Sequence, residues 1–254
     1  MSTEVKTAVG KFVWHENHST DIEKAKNFYT QLLGWELEMF KPGEMDYAMI
    51  KARGQLHGGF FKAQGGAPSH WLGHVLVEDV DETVRRAEAA GGKVIMGPMD
   101  MPEVGRFALL GDPQGAVVSA YSPAGDPPTN EGVFVWDELQ TSDPDAAKSF
   151  YTEVFGWGAR DMEMGDMGSY TIFQRAAETD VGGCMRLPHG VQAPPHWLVY
   201  IGTDDVDGTV TKAKQLGAKV FVEPMDIPNG IGRFAVLQDP AEAVFGLFKG
   251  GSGS

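Results

Sequence analysis

The chain has 254 residues, a formal net charge of −14 and a single cysteine, Cys184. An acidic chain without a basic cluster is a poor partner for nucleic acid or an anionic membrane, and no apolar run reaches the ~18 residues of a membrane span. One cysteine excludes an internal disulfide, and the polar N-terminus lacks the apolar stretch of a signal peptide. These features predict a cytoplasmic protein, a monomer or homodimer, whose partner is a small molecule.

An internal repeat organises the sequence. Residues 10–35 read GKFVWHENHSTDIEKAKNFYTQLLGW, and residues 132–157 read GVFVWDELQTSDPDAAKSFYTEVFGW. Trp14 and Glu16 thus return as Trp136 and Glu138 at an offset of 122 (136 − 14). A constant offset over such a length indicates a duplication. We predict domains at 1–123 and 130–249, joined by a linker at 124–129 (AGDPPT) and followed by a flexible tail at 250–254.

The first quarter of the chain predicts a strand, a helix and three strands. Lys11–Glu16 is a short apolar strand, and Thr20 with Glu23 forms a T-x-x-E capping box before an amphipathic helix that Gly34 ends. The three strands that follow are separated by turn residues: Glu36–Phe40, Tyr47–Ala52 and His57–Lys62.

The second quarter repeats this order. His70–Val77 predicts a strand, and Val80, Val84 and Ala87 mark the apolar face of a helix that ends at two glycines. Three further strands follow: Lys93–Met96, Arg106–Leu110 and Ala116–Tyr121. The second half repeats both units, so the chain contains four βαβββ modules and is of the α+β class.

The motifs W-x-E, D-x-x-x-A-x-x-FY, HWL, GRFA and DPQGA, in this order, resemble those of the vicinal oxygen chelate superfamily. This superfamily includes glyoxalase I, extradiol dioxygenases, fosfomycin-resistance enzymes and bleomycin-binding proteins. The resemblance implies that the modules pair into two curled mixed-sheet domains. It also implies a concave face on which a divalent metal is chelated by neighbouring oxygens of a substrate.

The ligand positions of the superfamily fall on residues that bind metals poorly: Trp14, Leu72, Ser119 and Gly246. The sequence therefore lacks the usual ligands of the superfamily's metal site. Alternation along a strand places Glu16 and His18 on the face of Trp14, and His70 and His74 on the face of Leu72.

His57 lies on the strand that closes the first module. We therefore predict a shifted site in which Glu16, His57 and His74 hold a divalent metal (Fe, Zn or Mn). Glu16, His18 and Tyr121 are the predicted acid–base residues, and Trp14, His70 and Arg106 are the predicted substrate-binding residues.

The histidines are unevenly distributed between the halves. The first half has five of the seven: His15, His18, His57, His70 and His74. The matching positions of the second half are Asp137, Gln140, Val181, His196 and Tyr200. If one half carries out chemistry, it is the first.

Structural roles compete with these assignments. Glu16 recurs in the second half, which favours a structural hydrogen-bond acceptor, and His15 and His18 near a strand end are typically solvated. Arg106 follows a glycine and favours an ion pair over a substrate carboxylate. The paired tryptophans Trp35/Trp157 and Trp71/Trp197 indicate core packing, and Cys184 a small buried residue.

Two functions remain open. The first is a metal-dependent enzyme, a lyase, isomerase or dioxygenase, that acts on a small oxygen-bearing organic molecule in the N-terminal half. The alternative is a metal-free protein that binds or sequesters a small molecule, as drug-resistance proteins do.

Overall fold

The computed structural model describes residues 8–41, 47–128, 132–165, 168–175 and 179–251. The end of the predicted linker at Thr129, the start of the predicted second domain at residue 130 and the tail residues 252–254 lie outside these ranges. The last strand ends at Gly250, the first residue of the predicted tail.

The first half contains two βαβββ modules. The first comprises β1 (Phe12–Ser19), α1 (Ile22–Leu33), β2 (Glu36–Phe40), β3 (Tyr47–Ala52) and β4 (Gln55–Lys62). The second comprises β5 (His70–Leu76), α2 (Val80–Ala89), β6 (Lys93–Met101), β7 (Gly105–Gly111) and β8 (Val117–Pro123).

The second half has the same order of elements. Its first module comprises β9 (Phe134–Thr141), α3 (Pro144–Phe155), β10 (Gly158–Glu163), β11 (Ser169–Arg175) and β12 (Thr179–Arg186). Its second comprises β13 (His196–Gly202), α4 (Val206–Gln215), β14 (Lys219–Ile227), β15 (Gly232–Gln238) and β16 (Val244–Gly250). A short 3-10 turn at Pro228–Gly230 precedes β15.

Each half forms one eight-stranded mixed sheet. The orders are β2-β3-β4-β1-β5-β8-β7-β6 and β10-β11-β12-β9-β13-β16-β15-β14. The first strand of a module pairs in parallel with its last, as β1 does with β4, and the remaining pairs within a module are antiparallel. The predicted α+β class with four βαβββ modules in two mixed sheets is confirmed.

The helix ends follow from local chemistry. Gly34 ends α1 in the left-handed region at φ 69°, as predicted, because glycine adopts this conformation without a steric penalty. The predicted capping box is wrong: the carboxylate of Asp21, not the hydroxyl of Thr20, accepts the backbone N–H of Lys24 at 3.1 Å. The Thr20 hydroxyl instead lies 3.1 Å from Oγ of Ser69.

The contacts divide the chain into two compact units. The first unit comprises Met1–Trp14, Gly73–Pro128 and Trp136–Trp197. The second unit comprises His15–Leu72, Thr129–Val135 and Leu198–Ser254. Each unit combines segments of both halves, whereas each sheet stays within one half; the predicted domain boundaries at 1–123 and 130–249 stay a prediction.

Each unit has an aromatic core built on the same hydrogen bond. In the second unit, the indole N–H of Trp71 donates to the Tyr29 hydroxyl at 3.0 Å. In the first unit, Trp197 donates in the same way to Tyr151 at 3.0 Å. The predicted core role of the paired tryptophans is confirmed, since all four are buried: Trp35, Trp71, Trp157 and Trp197.

Candidate functional site

The second unit contains a hydrogen-bonded carboxylate on β1. The hydroxyl of Tyr47 donates to Oε1 of Glu16 at 2.7 Å, and Nε2 of His18 lies 3.0 Å from Oε2 of the same residue. We call Glu16, His18, Tyr47 and His70 the Glu16 network. The side chains of Glu16 and His18 are 18% and 15% exposed, so the pair is shielded but reachable by a small molecule.

The strand pattern accounts for this arrangement. Glu16 and His18 are two residues apart on β1 and share one face of the sheet. Glu16 is opposite Gly59 of the parallel strand β4, and β3 brings Tyr47 in from the next strand along. A Cβ atom on Gly59 would lie 2.2 Å from the Tyr47 hydroxyl oxygen, so only a glycine leaves room for this hydroxyl.

The two imidazoles of the network are stacked. The ring of His18 lies 5.0 Å from that of His70 at an interplanar angle of 23°, and 5.2 Å from Phe61. Nδ1 of His70 lies 2.8 Å from the carbonyl oxygen of Pro68. Burial, and to a lesser degree the neighbouring His18, lower the pKa of His70, so this ring is neutral at pH 7.

The remaining histidines of the second unit are buried. His15 is fully buried and stacks on Phe134 at 4.3 Å, which corrects the prediction that it is solvated. His18 is also largely shielded, contrary to the same prediction. His57 is 1% exposed, and its Nε2 lies 3.0 Å from the carbonyl oxygen of Ala52.

Four of the predicted site residues lie in the first unit: Trp14, His74, Arg106 and Tyr121. His74 is buried, and its ring meets that of Tyr121 edge-on at 6.1 Å. The Tyr121 hydroxyl donates to the carbonyl oxygen of Val104 at 2.8 Å, so it is already engaged by the backbone. Trp14 is half-buried on β1.

The donor set does not fit a metal held by the protein. Across the described ranges, no group of three or more His, Cys, Asp or Glu side chains could hold a metal ion. The predicted set of Glu16, His57 and His74 is therefore not assembled as a ligand group. Both oxygens of Glu16 are bonded within its own network, and a backbone carbonyl holds His57.

Arg106 is part of a surface ion-pair cluster in the first unit. Its Nε and Nη2 bind the two oxygens of Asp81 at 2.8 and 2.9 Å, and Nη1 binds Asp100 at 2.8 Å. These bonds lower the pKa of Asp81. The structure agrees with an ion-pair role, and the predicted role of Arg106 in substrate binding has no support from this geometry.

The first unit contains a counterpart of the carboxylate network. Tyr170 donates to Oε2 of Glu138 at 2.9 Å, and Nε2 of Gln140 donates to Oε1 at 3.0 Å. The indole N–H of Trp136 donates to the Tyr170 hydroxyl at 2.8 Å. We call Trp136, Glu138, Gln140 and Tyr170 the Glu138 network; it has an amide where the Glu16 network has the imidazole of His18.

Tyr47 was missed by the sequence analysis, although the repeat contains a signal for it. Tyr47 and Gly59 return in the second half as Tyr170 and Gly183. Neither residue is charged or a strong metal ligand, so neither was selected as a candidate catalytic or metal-binding residue. Cys184 is buried as predicted, and burial, with the nearby Glu138, raises the pKa of its thiol to about 12.

Comparison with known proteins assigns the family. The family model described as the Glyoxalase/Bleomycin resistance protein/Dioxygenase superfamily matches residues 18–119 and 134–247. The chain belongs to this superfamily. Each of the two matched regions lies in one of the eight-stranded sheets, which agrees with the resemblance seen in the sequence motifs.

Two curated relatives of this superfamily member match almost end to end. The chain is 37% identical over 247 residues to a putative glyoxylase, CFP32, of Mycobacterium bovis, with 93% of each chain covered. It is 32% identical over 266 residues to the anthracycline biosynthesis protein DauV of a Streptomyces species, with coverage of 95% and 94%.

Solved structures share the fold at low identity. The Mn(II)-bound glyoxalase from Novosphingobium aromaticivorans is 21% identical with a TM-score of 0.65, over 95% of this chain and 82% of that one. The 2,2',3-trihydroxybiphenyl 1,2-dioxygenase from Sphingomonas wittichii is 16% identical with a TM-score of 0.66, over 96% and 91%. None of the helices that the structure describes is long and apolar enough to cross a membrane.

Proposed function

We propose that the chain is an enzyme that binds a small oxygen-bearing organic molecule at the Glu16 network and transfers a proton on it. The observation that carries this proposal is the 3.0 Å contact between Nε2 of His18 and Oε2 of Glu16. A carboxylate and an imidazole at hydrogen-bond distance can exchange a proton directly.

The residues of the network have different roles. Glu16 takes a proton from a carbon atom next to a carbonyl group, and His18 accepts or returns a proton on the other carboxylate oxygen. Tyr47 is a positioning residue, because its hydroxyl fixes Oε1 of Glu16 at 2.7 Å. The stacked ring of His70 limits the rotation of His18.

The difference between the two halves supports this assignment. A carboxylate bonded by a tyrosine occurs in both networks, so this pair alone does not distinguish the two halves. Only the Glu16 network adds an imidazole, whereas Gln140 at the matching position cannot gain or lose a proton near pH 7. This supports an acid–base reaction in the N-terminal half.

The reaction class follows from what these residues can do by themselves. Moving a proton between adjacent carbons isomerises a hydroxy carbonyl compound without a change in its atoms or its overall oxidation state. Such a step needs an acid, a base and a bound substrate. We therefore favour an isomerase or lyase over a dioxygenase, and 2-oxo aldehyde adducts of a thiol as the first substrates to test, given the putative glyoxylase relative.

The predicted metal is not part of this reaction scheme. No group of three or more described His, Cys, Asp or Glu side chains fits an iron, zinc or manganese ion. No step is assigned to a metal. Elemental analysis of protein purified without chelator tests this directly, since about one equivalent of metal per chain would bring back the metal-dependent hypothesis.

A binding or sequestering protein is the second candidate. The Glu138 network favours it, because the group that bonds the carboxylate beside Tyr170 is the amide of Gln140. The relative named for anthracycline biosynthesis suggests a hydroxylated aromatic ligand. Binding of such a ligand by wild-type protein that shows no turnover would favour this candidate.

The experiment compares Glu16→Gln with Glu138→Gln. The hemithioacetal of methylglyoxal with a thiol is the probe, and proton NMR in heavy water follows its rearrangement. Loss of a general base typically lowers the rate by about 10²–10⁴, so we expect Glu16→Gln to lose turnover. Glu138→Gln is the control, because it neutralises the corresponding carboxylate of the second half. Equal rates in all three proteins contradict the proposal.

A further inference from the structure

The core of the second unit contains a polar pair behind the strand that carries Glu16 and His18. Asn17 lies between these two residues on β1, so its side chain is on the opposite face, where it is fully buried. Asp239, in the turn before β16, is also buried. We propose that Asn17 and Asp239 form a two-state proton switch, in which the amide accepts a hydrogen bond from the protonated carboxyl and turns over to donate one to the carboxylate. The inference goes beyond the proposed function and does not require turnover at the Glu16 network.

Both members of the pair have polar atoms that their surroundings leave unsatisfied. Among the described residues, neither the nitrogen nor the oxygen of the Asn17 amide has a hydrogen-bond partner, and Oδ2 of Asp239 has none either. The other oxygen of Asp239 accepts the backbone N–H of Ala243 at 3.0 Å. Buried polar groups are nearly always hydrogen-bonded, because an unsatisfied one destabilises the folded state. Both side chains therefore gain if they bond to each other.

The two side chains already influence each other. Burial raises the pKa of the Asp239 carboxyl to about 6. The neighbours that oppose this rise are Tyr29, Ala243, Ala241 and Asn17. An amide lowers the pKa of a carboxyl by stabilising the charged form at short range. Asn17 thus faces Asp239 without being in hydrogen-bonding geometry, and a rotation of its amide completes the bond.

A carboxamide suits both charge states of its partner. It has an acceptor oxygen and an NH₂ group, whereas a carboxylic acid donates and a carboxylate only accepts. When Asp239 is protonated, its O–H donates to Oδ1 of Asn17. When the proton leaves to solvent, the amide turns over and Nδ2 donates to the carboxylate. The state of the amide therefore reports whether the carboxyl holds its proton.

The other groups around the carboxyl do not replace Asn17. Helix α1 contributes Tyr29, and burial raises the pKa of this phenol well above its ordinary value, so it stays protonated. Strand β1 also carries His15 on the face of Asn17, where the ring is stacked in the aromatic core. The turn of Asp239 itself contributes Glu242, which is exposed. The switch therefore uses the proton of Asp239 and the amide of Asn17.

The first unit shows why the pair is specific to the second. Leu139 is at the position that corresponds to Asn17 and is fully buried as well. The carboxylate of that unit, Asp112, accepts three backbone N–H groups on Oδ1 and the Tyr151 hydroxyl on Oδ2 at 3.1 Å. A carboxylate bonded at both oxygens needs no amide beside it. Asp239 lacks the second set of bonds, and its unit has Asn17 where the other has a leucine.

NMR of the full chain over about pH 4–8, with labelled carboxyl carbons and side-chain amides, tests the inference. The variants are Asp239→Asn and Asn17→Leu, which takes the residue type of the first unit. We expect the Asp239 carboxyl and the Asn17 amide of wild type to titrate with one midpoint at about 6. The amide should stop titrating in Asp239→Asn. The Asp239 midpoint should rise by about one pH unit in Asn17→Leu, because the charged form loses its donor.

The carboxyl of Asp112 is the control in the same spectra and should keep its midpoint in Asn17→Leu. An Asn17 amide that does not change over this range, or that changes equally in Asp239→Asn, overturns the switch. An unmoved Asp239 midpoint in Asn17→Leu overturns it as well. Circular dichroism checks that each variant is folded, and if one is not, the other decides by its own criterion. None of these readouts involves turnover, so a failure of the proposed function leaves them unchanged.

Discussion

The hydroxyl of Tyr47 lies 2.7 Å from Oε1 of Glu16, and this bond joins two strands of the same module. Hydrogen bonds to a charged group typically contribute about 1.5–3 kcal/mol. The bond fixes one carboxylate oxygen and leaves the other for His18. The acid–base pair that we propose therefore depends on a tyrosine that does not itself react.

Replacing Tyr47 with phenylalanine removes only this hydroxyl. Because Glu16 is partly shielded and loses a donor, we expect the free energy of unfolding to fall by about 1–2 kcal/mol in urea titrations. Turnover of the hemithioacetal should fall by about tenfold, since the carboxylate is less well oriented. Tyr170→Phe is the matched control for stability and should lose a similar amount; full turnover in Tyr47→Phe would argue against the positioning role.

The substitution His18→Gln gives the first half the residue type that the second half has at the matching position, Gln140. An amide can keep the bond to Glu16, as Gln140 does to Glu138 at 3.0 Å, so the unfolding free energy should change by less than about 1 kcal/mol. The imidazole is lost, and kcat should fall by about 10² with little change in KM. A kcat equal to that of wild type would remove His18 from the proposed mechanism.

Gly59→Ala tests the space around the Tyr47 hydroxyl. The new Cβ atom would lie 2.2 Å from that oxygen, so the tyrosine must move, and overpacking of this kind costs about 1–3 kcal/mol. Gly158→Ala is the control, because its Cβ would meet nothing closer than the carbonyl oxygen of Gln174 at 3.7 Å. In denaturant titrations, we expect Gly59→Ala to unfold at a lower midpoint than Gly158→Ala. Equal midpoints would mean that the Tyr47 hydroxyl can move aside without loss of stability.

Asp239 predicts a pH dependence of stability. Burial raises the pKa of this carboxyl from its ordinary 3.8 to about 6, although bonds such as that from the Ala243 amide limit the rise. Because the pKa of Asp239 is higher in the folded state, this group contributes to the free energy of unfolding. The contribution is fully present below about pH 4 and is lost as the pH rises through about 6. A difference of about two pKa units corresponds to about 3 kcal/mol.

The comparison is with Asp239→Asn, which keeps an oxygen acceptor for Ala243. Between pH 4 and 6 the unfolding free energy of wild type should fall relative to that of the variant, and above that range the difference should stay constant. Urea titrations at several pH values measure it. Parallel curves for the two proteins over this range would contradict the raised pKa.

The sequence was sufficient for the order of elements, because the repeat and the local signals act over short distances. Gly34 ended α1 where it was expected, and the paired tryptophans such as Trp71 are in the cores. The predicted helix start at Thr20 was wrong because Asp21 offers a competing side-chain acceptor one residue later. Local chemistry alone does not decide between two adjacent capping residues.

The site was less predictable because it depends on contacts between strands. His15 was expected near a strand end, but β1 continues to Ser19, so His15 is in mid-strand on the face opposite Glu16. Tyr47 reaches Glu16 only through the register of β3 and β4. The alternation of side chains along a strand predicts which residues share a face. It does not show which of them come within bonding distance, so it could not test whether Glu16, His57 and His74 form a metal-ligand group.

The most direct test of the central claim is the rate of hemithioacetal rearrangement in heavy water, measured for chelator-treated wild type and chelator-treated Glu16→Gln side by side. We expect wild type to keep its rate after chelation and Glu16→Gln to be slower by about 10² or more. A wild-type rate abolished by chelation and restored by a divalent metal, or a Glu16→Gln rate equal to that of wild type, would contradict it.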